Sequence, residues 1–346
     1  MNDNIVVVDG ILLEITERCN ASCSYCYNSS GASRDVPIDT VFEVLMDIYS
    51  VFGRINTLKI SGGEPSMHPK WLKLCTFLDD HPELCNEVEI ITNGSAFDCT
   101  DTRWLFKQTI QLTLESPKEE IHDSIRGEGN FVKIGKILDS RIPSALNGRL
   151  ILRVNLSRRN CYNLEDFINY SISRNVDEIV FSFLKYSGRA KEDSEIINCV
   201  FTPTLSKEII DEIDKLKHKN SGVIRIRNDC KPKSICGITD FNMPHIAPVI
   251  SSHGTVYLCE GISNSMALGS VYDNSISELL RSKVCEGYIN IIKDRKEKIC
   301  RSSNCIWQYI CPKGCAGEAV DYYNDVYHKV DECWYYREWF KSKLGI

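Results

Sequence analysis

Between Ile11 and about Leu184 the chain alternates short β-type runs with amphipathic helical stretches, and this limits its fold more than any other feature. The β-type runs fall at residues 11–15, 57–61, 88–92, 110–114, 150–155 and 178–183. The clearest helical pattern starts at Asp39, a residue suited to an N-cap, and puts Val41, Leu45, Ile48 and Phe52 on one stripe. Others are predicted near residues 71–78, 131–138 and 164–173. Parallel neighbours need crossover connections, so the alternation predicts an α/β fold with a parallel sheet. Six such units predict a partial (β/α)6 barrel and not a complete eightfold one. A further helix near residues 205–217 carries Ile209, Ile210, Ile213 and Leu216, and after it the alternation stops. A boundary near residue 220 then separates residues 1–220 from 221–346. In the second part, residues 247–250 and 256–258 flank Gly254 as a β-hairpin, followed by a short helix at 276–280 and a cysteine-rich tail.

Seventeen cysteines set the chemistry. The run Ile5, Val6, Val7, Val8 is too short for a secretory signal, and no stretch of 18 apolar residues occurs that would span a membrane. The expected compartment is the reducing cytoplasm, where thiolates serve metals or catalysis more often than disulfides. A formal charge of −6 gives no general basic field for nucleic acid. Cys75, Cys85, Cys99, Cys161, Cys199 and Cys285 are scattered and read mostly as small buried hydrophobes. The others gather near the start and in the last third.

Cys19-x3-Cys23-x2-Cys26 directly follows the first strand. Three thiolates in one short loop can wrap three corners of a cubane and leave the fourth iron without a protein ligand. A zinc knuckle normally closes with four ligands, and no nearby histidine or cysteine supplies the fourth. Tyr25 offers a flat face beside the cluster. Ser61-Gly62-Gly63-Glu64-Pro65 ends the second strand: its glycines let the backbone approach a ligand, and Glu64 can pair with an ammonium.

The segment from Glu14 to Tyr27, with the Gly62-Gly63-Glu64 motif, resembles the signature of the radical S-adenosylmethionine superfamily. The resemblance covers about residues 11–190 and extends to later loops. Thr92-Asn93-Gly94 ends the third strand and Thr113-Leu114-Glu115 the fourth, followed by His122 through Gly127. Asn155 ends the fifth, and Gly188-Arg189-Ala190 follows the sixth. The resemblance implies that Cys19, Cys23 and Cys26 hold a 4Fe–4S cluster. It further implies cofactor contacts from Tyr25, Gly62, Gly63, Glu64, Asn93, Thr113, Glu115, Arg126, Asn155 and Leu184. Glu115 would serve the ribose hydroxyls and Arg126 the carboxylate. All these positions lie at carboxyl ends of parallel strands, where such sheets bind ligands.

Cys300-x4-Cys305-x5-Cys311-x3-Cys315, then Cys333, closes the chain. With the hairpin leading to Cys259 it resembles the SPASM extension, which implies a small C-terminal hairpin/helix domain with two auxiliary 4Fe–4S clusters. By position, Cys300, Cys305, Cys311 and Cys333 would hold the outer cluster, and Cys259 and Cys315 the inner one. Four residues stand where the family's first spacing has two, and Asn274 stands where an inner ligand is expected. Cys236 is the first replacement candidate, Cys230 the second, and an open iron the third. A structural zinc site is the plainer alternative for this tail.

The family resemblance implies a 5′-deoxyadenosyl radical that abstracts hydrogen, and SPASM relatives mostly modify peptides. The expected substrate is a ribosomally made precursor peptide that is crosslinked, epimerised or oxidised. The expected partners are an electron donor such as flavodoxin or ferredoxin and, with 18 residues before Cys19, either a separate leader-peptide-binding protein or direct binding of the peptide. The alternatives are radical dehydrogenation or rearrangement of a small molecule such as an aminosugar alcohol, and a zinc-binding scaffold.

Overall fold

The computed structural model describes residues 5–27, 31–140, 148–184, 188–191, 202–231, 236–239, 241–262, 266–300, 305–307, 311, 313–329 and 333–344; Cys199 lies outside them. All six expected strands form and run parallel: β1 (Gly10–Glu14), β2 (Ile55–Ser61), β3 (Cys85–Ile91), β4 (Thr109–Thr113), β5 (Leu150–Leu156) and β6 (Glu178–Phe183). A seventh, β7 (Arg225–Asn228), joins β6 in the same direction. On the other flank β8 (Val249–Ile250) runs parallel to β1, and β9 (Thr255–Tyr257) and β10 (Ala267–Ser270) follow antiparallel. The resulting sheet has the order β10-β9-β8-β1-β2-β3-β4-β5-β6-β7, with β10 and β7 at its two ends. It is an open barrel that also takes in the expected hairpin. Val7–Val8 pairs separately with His245–Ile246.

Helices cover one face. α1 (Ile38–Phe52), α2 (Trp71–Asp80), α3 (Glu119–Arg126), α4 (Asn130–Ser140), α5 (Leu164–Ser173) and α6 (Pro203–Lys219) lie between the strands in sequence. Leu58, Ile60, Ile90, Leu112, Leu152 and Val154 are fully buried and belong to the same apolar cluster as the helix stripes. Each such side chain contributes about 1.5–3 kcal/mol. The alternate positions carry polar groups instead: Lys59, Glu89, Gln111 and Arg153. Lys59 on β2 feels Arg153 on β5, and Glu89 on β3 feels Arg227 on β7. In a flat sheet the second pair would stand about 19 Å apart, at about 4.8 Å per strand. Curling of the sheet brings them together across a polar interior.

Asp39 is not the cap of α1. Pro37 occupies that position, and Asp39 sits inside the first turn, where it favours the helix dipole and pairs with Lys73 at 2.9 Å. The helix ends at Gly53, with φ +79°. α6 is capped as its sequence allows, with the Thr202 hydroxyl accepting from Leu205 N–H and Pro203 in the first turn. Beyond the sheet lie the expected Ile276–Leu280 helix, α7 (Lys283–Lys298), α8 (Ala316–Tyr323) and α9 (Cys333–Leu344). A small second apolar cluster, Trp307, Tyr336 and Phe340, packs beside Cys305 and Cys311. Cys75, Cys85, Cys161 and Cys285 are buried as expected, whereas Cys99 is exposed at the end of the short Ala96–Cys99 helix.

Candidate cluster and cofactor site

The first cysteine loop leaves the end of β1 and is held from three sides. Ile15 N–H donates to Ser61 O (3.0 Å), Gly63 N–H to Thr16 O (2.7 Å) and Glu64 N–H to Arg18 O (2.8 Å), which carries the β1–β2 ladder past both strand ends. Two side chains must be missing for this. A Cβ on Gly62 (φ +136°) would stand 2.3 Å from Thr16 O, and one on Gly63 2.3 Å from Arg18 O. On the second side Ser24 N–H donates to the Ile125 carbonyl of α3, and on the third Arg189 N–H donates to the Cys26 carbonyl. Asp35 braces the loop's lead by accepting from Thr16 Oγ1 (2.6 Å) and Arg18 Nε (2.9 Å).

Inside this frame Cys23 is buried, and Cys19 and Cys26 are half-buried. Burial raises the Cys19 thiol pKa, the Ala21 N–H opposes this, and Glu64, Cys23 and Cys26 raise it further. Among the described residues no three His, Cys, Asp or Glu side chains converge as ligands of one ion. A single zinc would draw its sulfurs to about 3.8 Å from one another at 2.3 Å Zn–S bonds; a cubane takes one thiolate per iron and spaces them more widely. The donor set, three thiols and no imidazole, together with the side-chain-free strap at Gly62 and Gly63, fits an iron–sulfur cluster.

Glu64 is fully buried. Its carboxylate accepts from Ser66 Oγ (2.7 Å), Thr92 Oγ1 (2.8 Å) and Asn93 N–H (2.7 Å), tying the end of β2 to the end of β3. Asn93 Nδ2 in turn donates to Asn20 Oδ1 (2.8 Å) in the cysteine loop.

A second group lies around Tyr25. Its hydroxyl donates to Glu115 Oε1 and accepts from Arg126 (3.3 Å) and Asn155 Nδ2 (3.2 Å). Asn155 Nδ2 also reaches Glu115 Oε1 at 3.2 Å, and Asn160 Nδ2 donates to the Glu115 carbonyl at 2.9 Å. Glu115 N–H donates to His122 Nδ1 (3.1 Å), so the imidazole proton sits on Nε2, which donates to Asn130 Oδ1 (3.2 Å). Burial, opposed by Arg126 and by the hydrogen bonds from Tyr25 and Asn155, leaves the Glu115 carboxyl at about 6. Burial also raises the Tyr25 phenol, and Glu115 adds to it. Burial works against the Arg126 cation, but Tyr25, Cys23 and Glu115 more than offset it, and its Nε is buried with no hydrogen-bond partner. Tyr25, Glu115, Asn155 and Leu184 line one pocket with Ser24, Ile125, Ser157 and Arg159. Gly62, Gly63, Glu64 and Asn93 group on the Cys19 side, and Thr113 stands half-buried at the end of β4, outside that pocket lining. Asp35 and Asn160 carried no signal in the sequence; Arg189, named there only within the Gly188-Arg189-Ala190 motif, has a buried Nε and Nη2 that lack hydrogen-bond partners.

The tail thiols form two neighbourhoods. Burial raises the Cys311 pKa, the Lys313 N–H opposes this, and Cys333, Cys300 and Cys305 add to the rise, which places these four together. Cys315 and Cys259 meet over Gly261, where a Cβ would stand 3.1 and 3.8 Å from their sulfurs. Gly317 packs so closely on Gly261 O that no side chain fits there either. Cys236, Cys300 and Cys315 share the field of Arg295 on α7. Cys230 is elsewhere: burial raises its thiol pKa, in a setting shared with Asp229 and Arg153. Asn274 stands in an exposed turn, donating its N–H to Ser270 O.

 

Two family descriptions match the chain: the radical SAM superfamily over residues 13–140 and an iron–sulfur cluster-binding domain, SPASM, over residues 242–306. The chain is similar to the uncharacterized protein MJ0907 of Methanocaldococcus jannaschii, at 24% identity over 84% of this chain and all of that protein. It is similar to the antilisterial bacteriocin subtilosin biosynthesis protein AlbA of Bacillus subtilis, at 23% identity over 95% of this chain and 70% of AlbA. In fold it resembles Streptococcus suis SuiB bound to its precursor peptide SuiA, with a TM-score of 0.73 and 13% identity over 96% of this chain and 77% of SuiB. Among the described residues no helix is long and apolar enough to cross a membrane. The chain is a radical SAM superfamily enzyme that carries a SPASM iron–sulfur cluster-binding domain.

Proposed function

We propose that this enzyme modifies a ribosomally made precursor peptide by radical hydrogen abstraction, leaving a crosslinked, epimerised or oxidised residue. One observation carries the reading. A three-thiol loop strapped to Gly62 and Gly63 opens beside the Tyr25, Glu115, Asn155 pocket, and two further thiol neighbourhoods lie in the same chain. The names of AlbA and of the SuiB–SuiA complex support a peptide substrate.

Cys19, Cys23 and Cys26 would hold the radical-generating 4Fe–4S cluster. When bound, that cluster and S-adenosylmethionine supply a 5′-deoxyadenosyl radical through one-electron cleavage of the sulfonium C–S bond. The chain's own task is binding and orientation. The Gly62 and Gly63 backbone offers close approach to the ammonium, and Glu64 holds that backbone while adding negative charge nearby. Glu115 accepts from the ribose hydroxyls, Tyr25 and Asn155 fix its carboxylate, and Arg126 takes the carboxylate of S-adenosylmethionine. Asn93, Thr113 and Leu184 complete the contacts at the strand ends. Burial of this pocket keeps water and stray hydrogen donors out.

Cys300, Cys305, Cys311 and Cys333 would hold one auxiliary cluster, and Cys259, Cys315 and Cys236 the other. The radical unit occupies residues 1–220 and the auxiliary unit 221–346, with β7, β8, β9 and β10 as strands that the second unit lends to the sheet. We place the chain in the cytoplasm, with a flavodoxin or ferredoxin as electron donor and a separate protein that binds the peptide's leader. Co-expression with small neighbouring reading frames, followed by mass spectrometry, tests the substrate. Loss of hydrogen pairs, or deuterium gained from solvent at unchanged mass, is the expected result. A peptide set unchanged by both measures, from an enzyme that cleaves S-adenosylmethionine, would overturn the peptide reading.

A further inference from the structure

α7 carries a buried stripe of Cys285, Ile289 and Ile292, and the next position on it is Arg295, 2% exposed where an apolar residue is the norm. Burying a guanidinium is costly unless its donors are satisfied. Arg295 meets this with backbone carbonyls. Nε donates to Val326 O, Nη1 to Lys313 O (3.0 Å) and Gly314 O (3.3 Å), and Nη2 to His328 O (3.1 Å). Lys313 and Gly314 stand between Cys311 and Cys315, and both have left-handed backbones, with φ +67° and +71°. The side chain of Lys313 reaches back to the Lys296 carbonyl on α7. The residues joining the two thiol neighbourhoods are therefore tied to one helix mainly through one side chain.

Carbonyls satisfy a guanidinium's hydrogen bonds without cancelling its charge. Among the described residues no carboxylate lies within ion-pair distance of Arg295. Cys315, Cys300 and Cys236, drawn from both thiol neighbourhoods, feel its charge, and after them so does the Asp325 carboxylate, which makes no ion pair with it. Reduction adds an electron to a cluster, and a nearby cation in a medium of low dielectric favours the more negative state.

We propose that Arg295 is a positioning residue for the auxiliary clusters: it pins Lys313 and Gly314 to α7 and lends both clusters a positive charge that favours their reduced states. This rests on the reading that the tail thiols hold iron–sulfur clusters.

The experiment is a redox titration followed by electron paramagnetic resonance, on anaerobically reconstituted wild type, R295M and R295K, with iron counted in each. Wild type should bind about twelve irons, four per cubane. In R295M the auxiliary signals should titrate at lower potential, with a loss on the order of tenfold in the reduced-to-oxidised ratio at fixed potential. The Cys19, Cys23, Cys26 signal should stay in place. R295K keeps the charge, so its auxiliary potentials should stay near wild type while its auxiliary iron falls as the carbonyl ties are lost. Fully loaded R295M at wild-type potentials would overturn the proposal. Should R295M fail to fold or load, a tenfold drop in R295K would overturn it instead. Wild type with about four irons would remove the ligand assignment itself, a different failure, read from iron content alone.

Discussion

The phenol of Tyr25 and the carboxylate of Glu115, 90 residues apart in sequence, share a hydrogen bond in the lining of one pocket. Tyr25 lies between two cluster-loop cysteines and Glu115 just past β4, so this bond couples the loop to the sheet. Tyr25→Phe removes it and lets the carboxylate swing. The expected result is a KM for S-adenosylmethionine raised about fivefold to tenfold, as for loss of one hydrogen bond, with iron content unchanged. Assays of 5′-deoxyadenosine against donor concentration check it.

Glu115 should also set a pH limit. Its carboxyl stands at about 6, and in the role proposed for it only the ionised form would accept fully from ribose hydroxyls. The KM for S-adenosylmethionine should therefore rise as pH falls through about 6. Glu115→Gln should raise KM about tenfold or more at pH 7.5, as expected for a charge-assisted bond, and should flatten the profile. The same pH response in both proteins would show that another group controls binding.

His122 bears on stability. Burial holds its imidazole at about 4, below the ordinary 6.5, and the Glu115 N–H needs the neutral ring as acceptor. The unfolded chain binds this proton first as pH falls, so the stability that neutral His122 contributes is present above pH 6.5 and is lost progressively towards pH 4. The full effect is on the order of 3 kcal/mol. Thermal unfolding of wild type between pH 7 and 4.5 should show a steeper decline than His122→Gln.

Gly62→Ala and Gly63→Ala should be among the most damaging small substitutions. Each Cβ would stand 2.3 Å from a backbone oxygen of the cysteine loop's lead, and Gly62 also has φ +136°. Loss of several kcal/mol locally should release the strap. Iron bound at Cys19, Cys23 and Cys26 should fall while auxiliary iron remains.

Cys236 and Cys230 can be told apart by metal analysis. Cys236 shares the field of Arg295 with Cys315, whereas Cys230 neighbours Asp229 and Arg153. Cys236→Ala should lower bound iron by up to about four per chain, and Cys230→Ala should leave it unchanged. The reverse pattern would exchange their roles.

The six parallel strands were legible because their apolar runs face a helix layer, which leaves a periodic mark in the sequence. β7 left none: two of its four residues are arginines that meet buried Glu178 at the start of β6, Arg227 at 2.9 Å and Arg225 at 3.6 Å. α7 was hidden in the same way, since Arg295 interrupts the apolar stripe that would have announced it. Asp39 misled because a good capping residue also suits the first turn of a helix. Within the site, motif residues could be named from sequence, but their partners could not. Thr92 and Ser66 holding Glu64, or Asn160 holding Glu115, depend on which strand ends meet in space.

β8 lies against β1, with Val249 opposite Leu12. On the ribosome, some 235 residues must be made after β1 before its second neighbour exists. Until then β1 offers a bare strand edge next to the cysteine loop, open to pairing with other chains. Slow or truncated synthesis should thus yield aggregates in preference to a working amino-terminal half.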